Sequence, residues 1–588
     1  MKKISDILQE IVQPAFESAG YDAEYAKVTV SNRPDLCQYQ CNGAMPLAKK
    51  YHKAPIQIAE DVVKGLEGSE VFKEISAQAP GFINMIVSDK FLSDYINKMT
   101  ESETFGCEKA EKQETIIVDY GGANVAKPLH VGHLRPAVIG ESIKRTARYL
   151  GHKVIGDAHL GDWGLQIGLI ITELMEREPS LVYFDENYDG EYPKEPPFTM
   201  SELDEMYPAA SARSKEDEDY KERAQDAVRQ LQAGRKGYLA VWRHILDVSI
   251  ADLRRIYTNL NVEFDLWKKE SDVQQYIPDM VQDMKDGGSA HIDQGALVVD
   301  VMEESDTKEI PPCMILKSNG ATLYNTTDLA TLVERRKLFD PTKIIYVVDK
   351  RQALYFEQVF RCARKTKIIG EDVDLIFVGN GTMNGKDGKP FKTRDGGVLR
   401  LEHLLEDVNN QVLEKMKDRE MDDESRIDAA AKIAISAVKY GDLSNQASKD
   451  YIFDIERFTS FEGNTGPYIL YTIVRIKSLL AKVTDEGIVI DDSKGILPPD
   501  NKWEIDVMLA LSKWGETIQA SYEEQAPHKI CQFIYELSDT FNKFYHENKI
   551  VTNEDEKIRE SYIKLSRLVG DVLTEAIYLL GFDAPERM

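Results

Sequence analysis

Two histidines in the run His130-Val-Gly-His133 are the residues of this sequence best suited to chemistry on an anion. They follow the β-branched run Thr115-Ile-Ile-Val-Asp119 and precede a helical pattern that starts near Pro136. A loop between a strand and a helix presents free backbone N–H groups to an anion. Gly132 lets the backbone approach closely, and the imidazoles can donate hydrogen bonds to phosphate oxygens. The predicted chemistry is stabilisation of charge on a phosphate, not proton abstraction.

Longer stretches around this loop match one protein family. The stretch Ala123-Asn-Val-Ala-Lys-Pro-Leu-His-Val-Gly-His-Leu-Arg135 resembles the ATP-binding signature of class I aminoacyl-tRNA synthetases, specifically the arginyl-tRNA synthetases. Other stretches agree with that family in the same order: Gly161 to Gly168, Glu270-Ser271, Tyr324 to Leu329, Asp349 to Gln352, Gly388 to Arg394, Asn464 to Tyr468, Phe541 to Tyr545 and Pro585 to Met588. The resemblance extends over nearly the whole chain.

The resemblance implies a ligase that works in protein translation. ATP would be a substrate, with Mg²⁺ on its phosphates, and L-arginine and tRNA-Arg would be the partners. Arginyl-adenylate would form first, and the arginyl group would then pass to the terminal adenosine of the tRNA. Two other classes stay open from the residues alone. Nucleotidylyltransferases also carry HxGH loops but lack a large helical domain, and a noncatalytic tRNA-binding paralogue is disfavoured by the intact His130, His133, Asp328 and Gln352.

A pocket selective for arginine needs carboxylates and a hydroxyl, because a guanidinium ion has five donors and no acceptor. The resemblance assigns Asp119, Asp328 and Tyr324 to the guanidinium, Asn124 and Gln352 to the α-amino end, and Glu270 to orientation of the substrate. Tyr324 and Asp328 are four residues apart and are expected on one helical face. Taken singly, each has a plainer interpretation as a capping residue, a surface acid or a core aromatic.

The second phosphate loop of class I synthetases, Lys-Met-Ser-Lys, is missing from this sequence. The glycine-rich segment Gly385 to Arg394 takes its place, and four cations in it are expected to contact ATP: Lys386, Lys389, Lys392 and Arg394. Some arginyl enzymes with a degenerate second loop resemble this chain in having a lysine before the first motif. Lys127 is therefore expected to act with His130 and His133 in catalysis. The alternative is that Lys127 is an exposed loop lysine and the glycine-rich segment a solvated hairpin.

The 588-residue chain is predicted to be a multidomain α/β protein. Residues 1–110 are expected to form an α+β domain, and residues 111–421 a Rossmann-like catalytic domain with a parallel sheet and a helical insertion at about 175–260. Residues 422–588 are expected to form an all-helical bundle, which the resemblance implies is the anticodon-binding domain. Strand-like runs at Gly295 to Asp300, Lys343 to Asp349 and Asp374 to Gly379 are expected to complete the parallel sheet.

Binding of tRNA must use local patches, because a net charge of -27 excludes attraction of nucleic acid by bulk electrostatics. The resemblance places the N-terminal domain against the tRNA elbow, where the expected contacts are Tyr39, Gln40 and Asn42, with Lys49, Lys50 and Lys53 as a basic cluster. It places anticodon bases on Tyr468, Tyr471, Phe544 and Tyr545, with Arg475, Lys477, Lys543 and Lys549 on phosphates. Phe541, Phe544 and Tyr545 also share one helix face, so core packing is an equal alternative.

The remaining features predict an ordinary intracellular enzyme. Six scattered cysteines without a CxxC pair indicate reduced thiols and no structural metal. The first residues have the spacing of an amphipathic helix rather than an export signal, and no apolar run is long enough to cross a membrane. We therefore expect a cytoplasmic protein that acts as a monomer.

Overall fold

The computed structural model describes residues 1–391 and 399–588, which form two compact units. The terminal unit contains Met1–Ala110, Phe461–Tyr578 and Asp583–Met588. The central unit contains Glu111–Ser460 and Leu579–Phe582.

The first part of the terminal unit is an α+β fold, as predicted. Its helices are α1 (Ile4–Ser18), α2 (Ala44–Tyr51), α3 (Pro55–Lys64) and α4 (Asp89–Thr100). Its strands are β1 (Val28–Val30), β2 (Tyr39–Cys41), β3 (Phe72–Gln78) and β4 (Phe82–Val87), paired antiparallel in the order β1-β2-β4-β3. Ile83, Met85 and Val87 alternate along β4 and are buried, which is why this run forms a strand with one face on the core.

The second part of the terminal unit is helical. Its helices are α16 (Gly466–Asp485), α17 (Lys502–Leu511), α18 (Trp514–Glu523), α19 (His528–Glu547) and α20 (Glu556–Leu579). The two parts are packed together within the unit: the indole N–H of Trp514 donates to the Thr104 carbonyl at 3.2 Å, and the Asn97 amide exchanges two hydrogen bonds with the backbone of Ile496. Residues from both ends of the sequence therefore share one folded unit.

The central unit is organised by a four-stranded parallel sheet in the order β11-β10-β5-β6. These strands are β5 (Thr115–Asp119), β6 (Lys153–Asp157), β10 (Lys343–Asp349) and β11 (Asp374–Asn380). Asp119 stands beside Asp157 in one pair of strands and beside Tyr346 in the other. The carboxyl edge of the sheet thus gathers polar residues from β5 and β6, where ligands bind in open α/β sheets.

One strand prediction was wrong about the sheet it joins. The run Gly295 to Asp300 forms β8 (Ala296–Val299), but it pairs antiparallel with β7 (His291–Asp293) and β9 (Cys313–Leu316) in a separate sheet. Gln294 and Gly295 link β7 to β8, and both have positive φ, 46° and 85°. Two such residues favour a tight hairpin, so β8 pairs with its neighbour along the chain.

Helices cover the central sheet and form the insertion. They are α5 (Leu134–Tyr149), α6 (Leu165–Arg177), α7 (Met200–Glu216), α8 (Glu218–Gln232), α9 (Lys236–Asn259), α10 (Ile277–Asp286), α11 (Tyr324–Phe339), α12 (Ala353–Lys365), α13 (Leu401–Met416), α14 (Asp423–Leu443) and α15 (Ile455–Phe458). A short parallel pair, β12 (Met383–Asn384) with β13 (Tyr451–Ile452), completes the unit. Helix α14 packs on α13 and α5 in the central unit. The predicted boundary at residue 422 between the catalytic and the helical domain stays a prediction. Among the described residues, no helix is long and apolar enough to span a membrane.

Candidate active site

The His130-Val-Gly-His133 loop is a short 3₁₀ turn that leads directly into helix α5. Nδ1 of His130 accepts a hydrogen bond from the Gly132 amide at 3.0 Å, and Nδ1 of His133 accepts one from the His130 amide at 3.1 Å. The two rings lie 3.9 Å apart, centroid to centroid. Because each Nδ1 is an acceptor, a neutral ring carries its proton on Nε2. The loop therefore has two Nε2–H donors at the amino end of a helix.

Both imidazoles are neutral at physiological pH. Burial lowers the pKa of His133 to about 3, and burial together with the charge of Lys127 lowers the pKa of His130. Gly132 is required here for a steric reason as well, because a Cβ on it would lie 2.8 Å from Cε1 of His130. The loop thus presents neutral donors in a fixed geometry, which suits hydrogen bonding to phosphate oxygens.

Lys127 projects onto an aromatic ring from the insertion. Its ammonium nitrogen lies 4.6 Å from the centroid of Tyr207 in α7, a distance typical of a cation–π contact. Sequence reasoning selected Lys127 and missed Tyr207, because no residue spacing connects two segments so far apart in the chain.

The second predicted phosphate segment begins as a tight hairpin, and residues that follow it contact the first loop. Lys386 pairs with Asp454 at 3.1 Å, and Lys389 is exposed. Lys392 and Arg394 lie outside the described residues. The chain returns at Leu399, whose carbonyl accepts from the Val131 amide at 3.0 Å, and the Leu401 amide donates to the Leu129 carbonyl at 2.9 Å. The chain that follows the second predicted phosphate segment therefore bonds to the first loop through its backbone.

A buried ionic group lies at the carboxyl edge of the parallel sheet. Nη2 of Arg335 donates to Asp119 at 2.5 Å and to Asp157 at 2.7 Å, and the Arg335 side chain is 2% exposed. Although burial opposes it, His159 and Arg335 lower the pKa of Asp157. Asp157 also raises the pKa of His159 against the effect of burial. Oδ2 of Asp119 is thus occupied by Arg335, a partner that sequence reasoning missed.

Further carboxylates surround this group. The hydroxyl of Tyr355 donates to Asp328, and Ser271 donates to Asp162 from its amide at 2.9 Å and its hydroxyl at 2.7 Å. A Cβ added to Gly161 would lie 2.2 Å from Oδ1 of Asn124 and 3.7 Å from Oε1 of Glu270, so both side chains lie close to Gly161.

Four of these acids have pKa values above their ordinary range. Burial is the first cause for each, and it raises the pKa values of Asp119, Asp162, Glu270 and Asp328. Neighbouring carboxylates add to the effect: Asp162 and Asp328 help to raise the pKa of Glu270 to about 7. A cluster of like charges with raised pKa values is typical of a site that binds a cation.

The structure brings most of the predicted arginine-binding residues together. Asp119, Asn124, Glu270 and Asp328 belong to the cluster, and Tyr324 shares a helix with Asp328 and interacts electrostatically with Glu270. Tyr324 is 63% exposed, so its hydroxyl borders the cluster from the solvent side. Gln352 is exposed in the short turn after β10, and no hydrogen bond joins it to the cluster within the described part of the chain.

Two predicted tRNA contacts are inaccessible. Phe544 is fully buried, with its ring 5.1 Å from that of Tyr562, and Tyr39 is 6% exposed. A base cannot stack on a ring that the core already covers, so neither residue belongs to a tRNA surface in this conformation. For Phe544 the core-packing alternative explains its spacing.

Two of the other predicted tRNA aromatics, Tyr471 and Tyr545, lie against a cation. The guanidinium of Arg475 lies 4.8 Å from the Tyr471 ring centroid and 4.9 Å from that of Tyr545. Asn542 accepts from Arg475 at 2.5 Å and donates to the Tyr468 hydroxyl at 3.0 Å. In the N-terminal part, Gln40 donates to Asn84 at 2.8 Å, and Asn42 is exposed.

Comparison with known proteins identifies the family. The model for "tRNA synthetases class I (R), catalytic domain" matches residues 96–455. The arginine–tRNA ligase of Agathobacter rectalis is 58% identical over 100% of both chains. The chain belongs to the arginyl-tRNA synthetase family. Models for the arginyl-tRNA synthetase N-terminal domain and the DALR anticodon-binding domain match residues 2–87 and 469–588. The family resemblance and the fold class seen in the sequence are therefore confirmed.

Other relatives agree with this assignment. The arginine–tRNA ligase of Alkaliphilus oremlandii is 55% identical over 100% of this chain and 99% of its own. The solved arginyl-tRNA synthetases of Plasmodium falciparum and Thermus thermophilus have the same fold, with TM-scores of 0.79 and 0.76 over 100% of each chain, at 23% and 21% identity. As a member of this family, the synthetase is an ATP-dependent arginine–tRNA ligase of translation, which contradicts the nucleotidylyltransferase alternative.

Proposed function

We propose that the acidic cluster is the arginine pocket of the synthetase and that the histidine loop beside it is its ATP phosphate site. The observation that carries this proposal is the excess of carboxylates at the carboxyl edge of the sheet, four of which have raised pKa values. Arginine has a guanidinium and an α-ammonium group. Binding of two cationic groups would relieve the repulsion between the carboxylates, whereas a neutral amino acid side chain would leave it in place.

Each end of the substrate has its own set of side chains. Asp328 binds the guanidinium, Tyr355 fixes its carboxylate, and Tyr324 adds a hydroxyl at the rim. Asp119 contributes charge from behind while Arg335 holds one of its oxygens. Glu270 and Asn124 bind the α-ammonium group, with Gln352 closing from the turn after β10.

The adenylation step follows from this placement. A carboxylate oxygen of arginine attacks the α-phosphorus of ATP, and the bond from that phosphorus to the pyrophosphate oxygen breaks. The Nε2–H groups of His130 and His133 donate to phosphate oxygens as negative charge moves, and Lys127 neutralises charge on the leaving pyrophosphate. The terminal adenosine of tRNA-Arg then takes the arginyl group and releases AMP.

The finer points of the family resemblance belong to the same proposal. Among the described residues, no three metal-binding side chains are close enough to hold an ion, so Mg²⁺ would reach the site on the ATP phosphates, and we assign it no step. Candidate phosphate contacts in the second loop are Lys386 and Lys389, and Lys392 and Arg394 beyond the described residues. Gln40, Asn42, Tyr468, Tyr471 and Tyr545 are the proposed tRNA contacts. We further propose a monomer that works in the cytoplasm.

Substitution of Asp328 tests the arginine pocket. Asp328→Asn keeps the shape of the side chain and removes its charge, so we expect the KM for arginine to rise about 10- to 100-fold, the range for loss of a charged hydrogen bond. The KM for ATP should change little. Pyrophosphate exchange with arginine, measured with and without tRNA, gives both values. Asp340→Asn, at the exposed end of the same helix, is the matched control, and an unchanged arginine KM in Asp328→Asn would refute the pocket.

Substitution of Lys127 tests the phosphate site. Lys127→Ala removes a charge that acts on the leaving group, and we expect kcat for pyrophosphate exchange to fall about 100-fold, the size seen when one transition-state donor is lost. The KM for ATP should rise much less, because the other phosphate contacts remain. Equal losses in kcat and in ATP binding would show that Lys127 only positions the nucleotide.

A further inference from the structure

Helix α7 of the insertion contacts the first predicted phosphate segment and the chain that follows the second. The ring of Tyr207 lies under the Lys127 ammonium at 4.6 Å. Three residues earlier, Oδ2 of Asp204 pairs with Nη1 of Arg400 at 3.0 Å, and the backbone of Arg400 forms an antiparallel bridge with His130. Residues three apart share one face of a helix. One face of α7 therefore contacts Lys127, just before the first loop, and Arg400, which pairs with that loop.

Both side chains are fixed by their surroundings. Tyr207 packs against a buried cluster made of Leu169, Ala210, Tyr220 and Ala224, which come from α6, α7 and α8. The side chain of Asp204 is only 5% exposed. Packing on one side leaves the Tyr207 ring in place, so its other face can hold a cation.

We infer that Tyr207 is a positioning residue for adenylation, which holds the Lys127 ammonium where the pyrophosphate will leave. This inference rests on the phosphate role proposed for Lys127. A lysine side chain has four rotatable bonds, so its ammonium group samples many positions when no contact holds it. The contact with the ring restricts these positions before ATP binds. A charge that is already in place stabilises a transition state more than a charge that must first be moved into position.

Three variants of Tyr207 separate the ring from its hydroxyl. Tyr207→Leu removes the aromatic face, and kcat for pyrophosphate exchange should fall roughly 3- to 30-fold, the worth of one cation–π contact, with little change in the KM for ATP. Tyr207→Phe keeps the face and should keep near-normal kcat. Tyr207→Met fills a similar volume and replaces the leucine variant if that one does not fold. Lys337 lies 4.8 Å from the Tyr276 ring, so Tyr276→Leu removes a similar contact elsewhere and should leave kcat unchanged.

A double variant decides whether Tyr207 acts through Lys127. If it does, Tyr207→Leu causes no further loss in kcat once Lys127→Ala is present, and additive losses would overturn the inference. A normal or higher kcat in Tyr207→Leu alone, together with a slow Lys127→Ala, would overturn it while leaving the role of Lys127 intact. A normal kcat in Lys127→Ala would instead refute the proposed role of Lys127 itself.

Discussion

At the scale of single residues, burial and mutual repulsion disfavour the ionised form of the carboxyl groups in the proposed pocket. Glu270 shows this most clearly, since burial first and then the charges of Asp162 and Asp328 raise its pKa to about 7. A carboxyl group whose pKa is higher in the folded chain than in the unfolded one makes folding less favourable as it ionises. A cationic substrate offsets this unfavourable contribution to folding when it binds, which offers a reason for the acids to lie in the pocket.

Glu270 should therefore control how arginine binding depends on pH. Below about pH 7 the carboxyl is protonated and cannot pair with the α-ammonium group, so kcat/KM for arginine should fall with a slope of about one on the acid side. His133, with its pKa lowered to about 3, stays neutral over that range and cannot produce this limb. Initial rates measured from about pH 5.5 to 8.5 would reveal it.

The variant Glu270→Gln provides the comparison. It should flatten the acid limb and raise the KM for arginine about 10- to 100-fold, because a charged hydrogen bond becomes a neutral one. It should also raise the Tm of the free protein at pH 8, since the ionised carboxyl no longer opposes folding. An acid limb that persists unchanged in this variant would show that another group titrates there.

Residue types and motif placement located much of the site, but long-range partners were invisible. The fold brings motifs that the sequence singled out, with His130, Gly132, His133, Asp328 and Glu270, to one edge of the sheet, and the roles of these residues stay predictions. Arg335 donates a hydrogen bond to Asp119, and the sequence gave no indication of this bond because the two residues are far apart along the chain. Phe544 looked equally suited to stacking on a base and to packing in a core, and only its burial distinguished the two.

At the scale of elements, local patterns identified strands but not always their partners. The β-branched runs of β5, β10 and β11 were placed correctly in the parallel sheet, because strand, turn and helix alternate there along the sequence. The run that became β8 is also rich in aliphatic residues, yet it forms a hairpin with β7 and therefore belongs to another sheet. Helix α7 was predicted only as part of an insertion, whereas its Asp204 and Tyr207 reach the site.

At the scale of the whole molecule, both ends of the sequence pack together in the terminal unit. Thr104 and Asn97 bond to the helical part of the terminal unit, and the buried Trp514 takes one of those bonds. Removal of the first hundred or so residues would break hydrogen bonds between the two parts and expose apolar surface. Loss of tRNA binding in such a truncation would not by itself identify the contact surface, so single surface cations are the better probes.

Salt dependence of tRNA binding should distinguish free cations from paired ones. With a net charge of -27, the synthetase is expected to hold tRNA at local sites where lysine or arginine side chains face outward. Among the described residues, Lys49 and Lys549 form no ion pair, whereas Lys477 pairs with Glu586 at 2.6 Å. If each free lysine neutralises one phosphate, Lys49→Ala and Lys549→Ala should each lower the slope of log K against log salt by about one.

Lys477→Ala is the matched control for that experiment, and it should change the slope by less, because its ammonium must first leave Glu586 before it can meet a phosphate. Filter binding of tRNA-Arg over a series of KCl concentrations gives all the slopes under one protocol. Equal changes in the three variants would mean that the intramolecular pair does not hold Lys477 back. No change in any of them would mean that the tRNA phosphates meet cations other than these three.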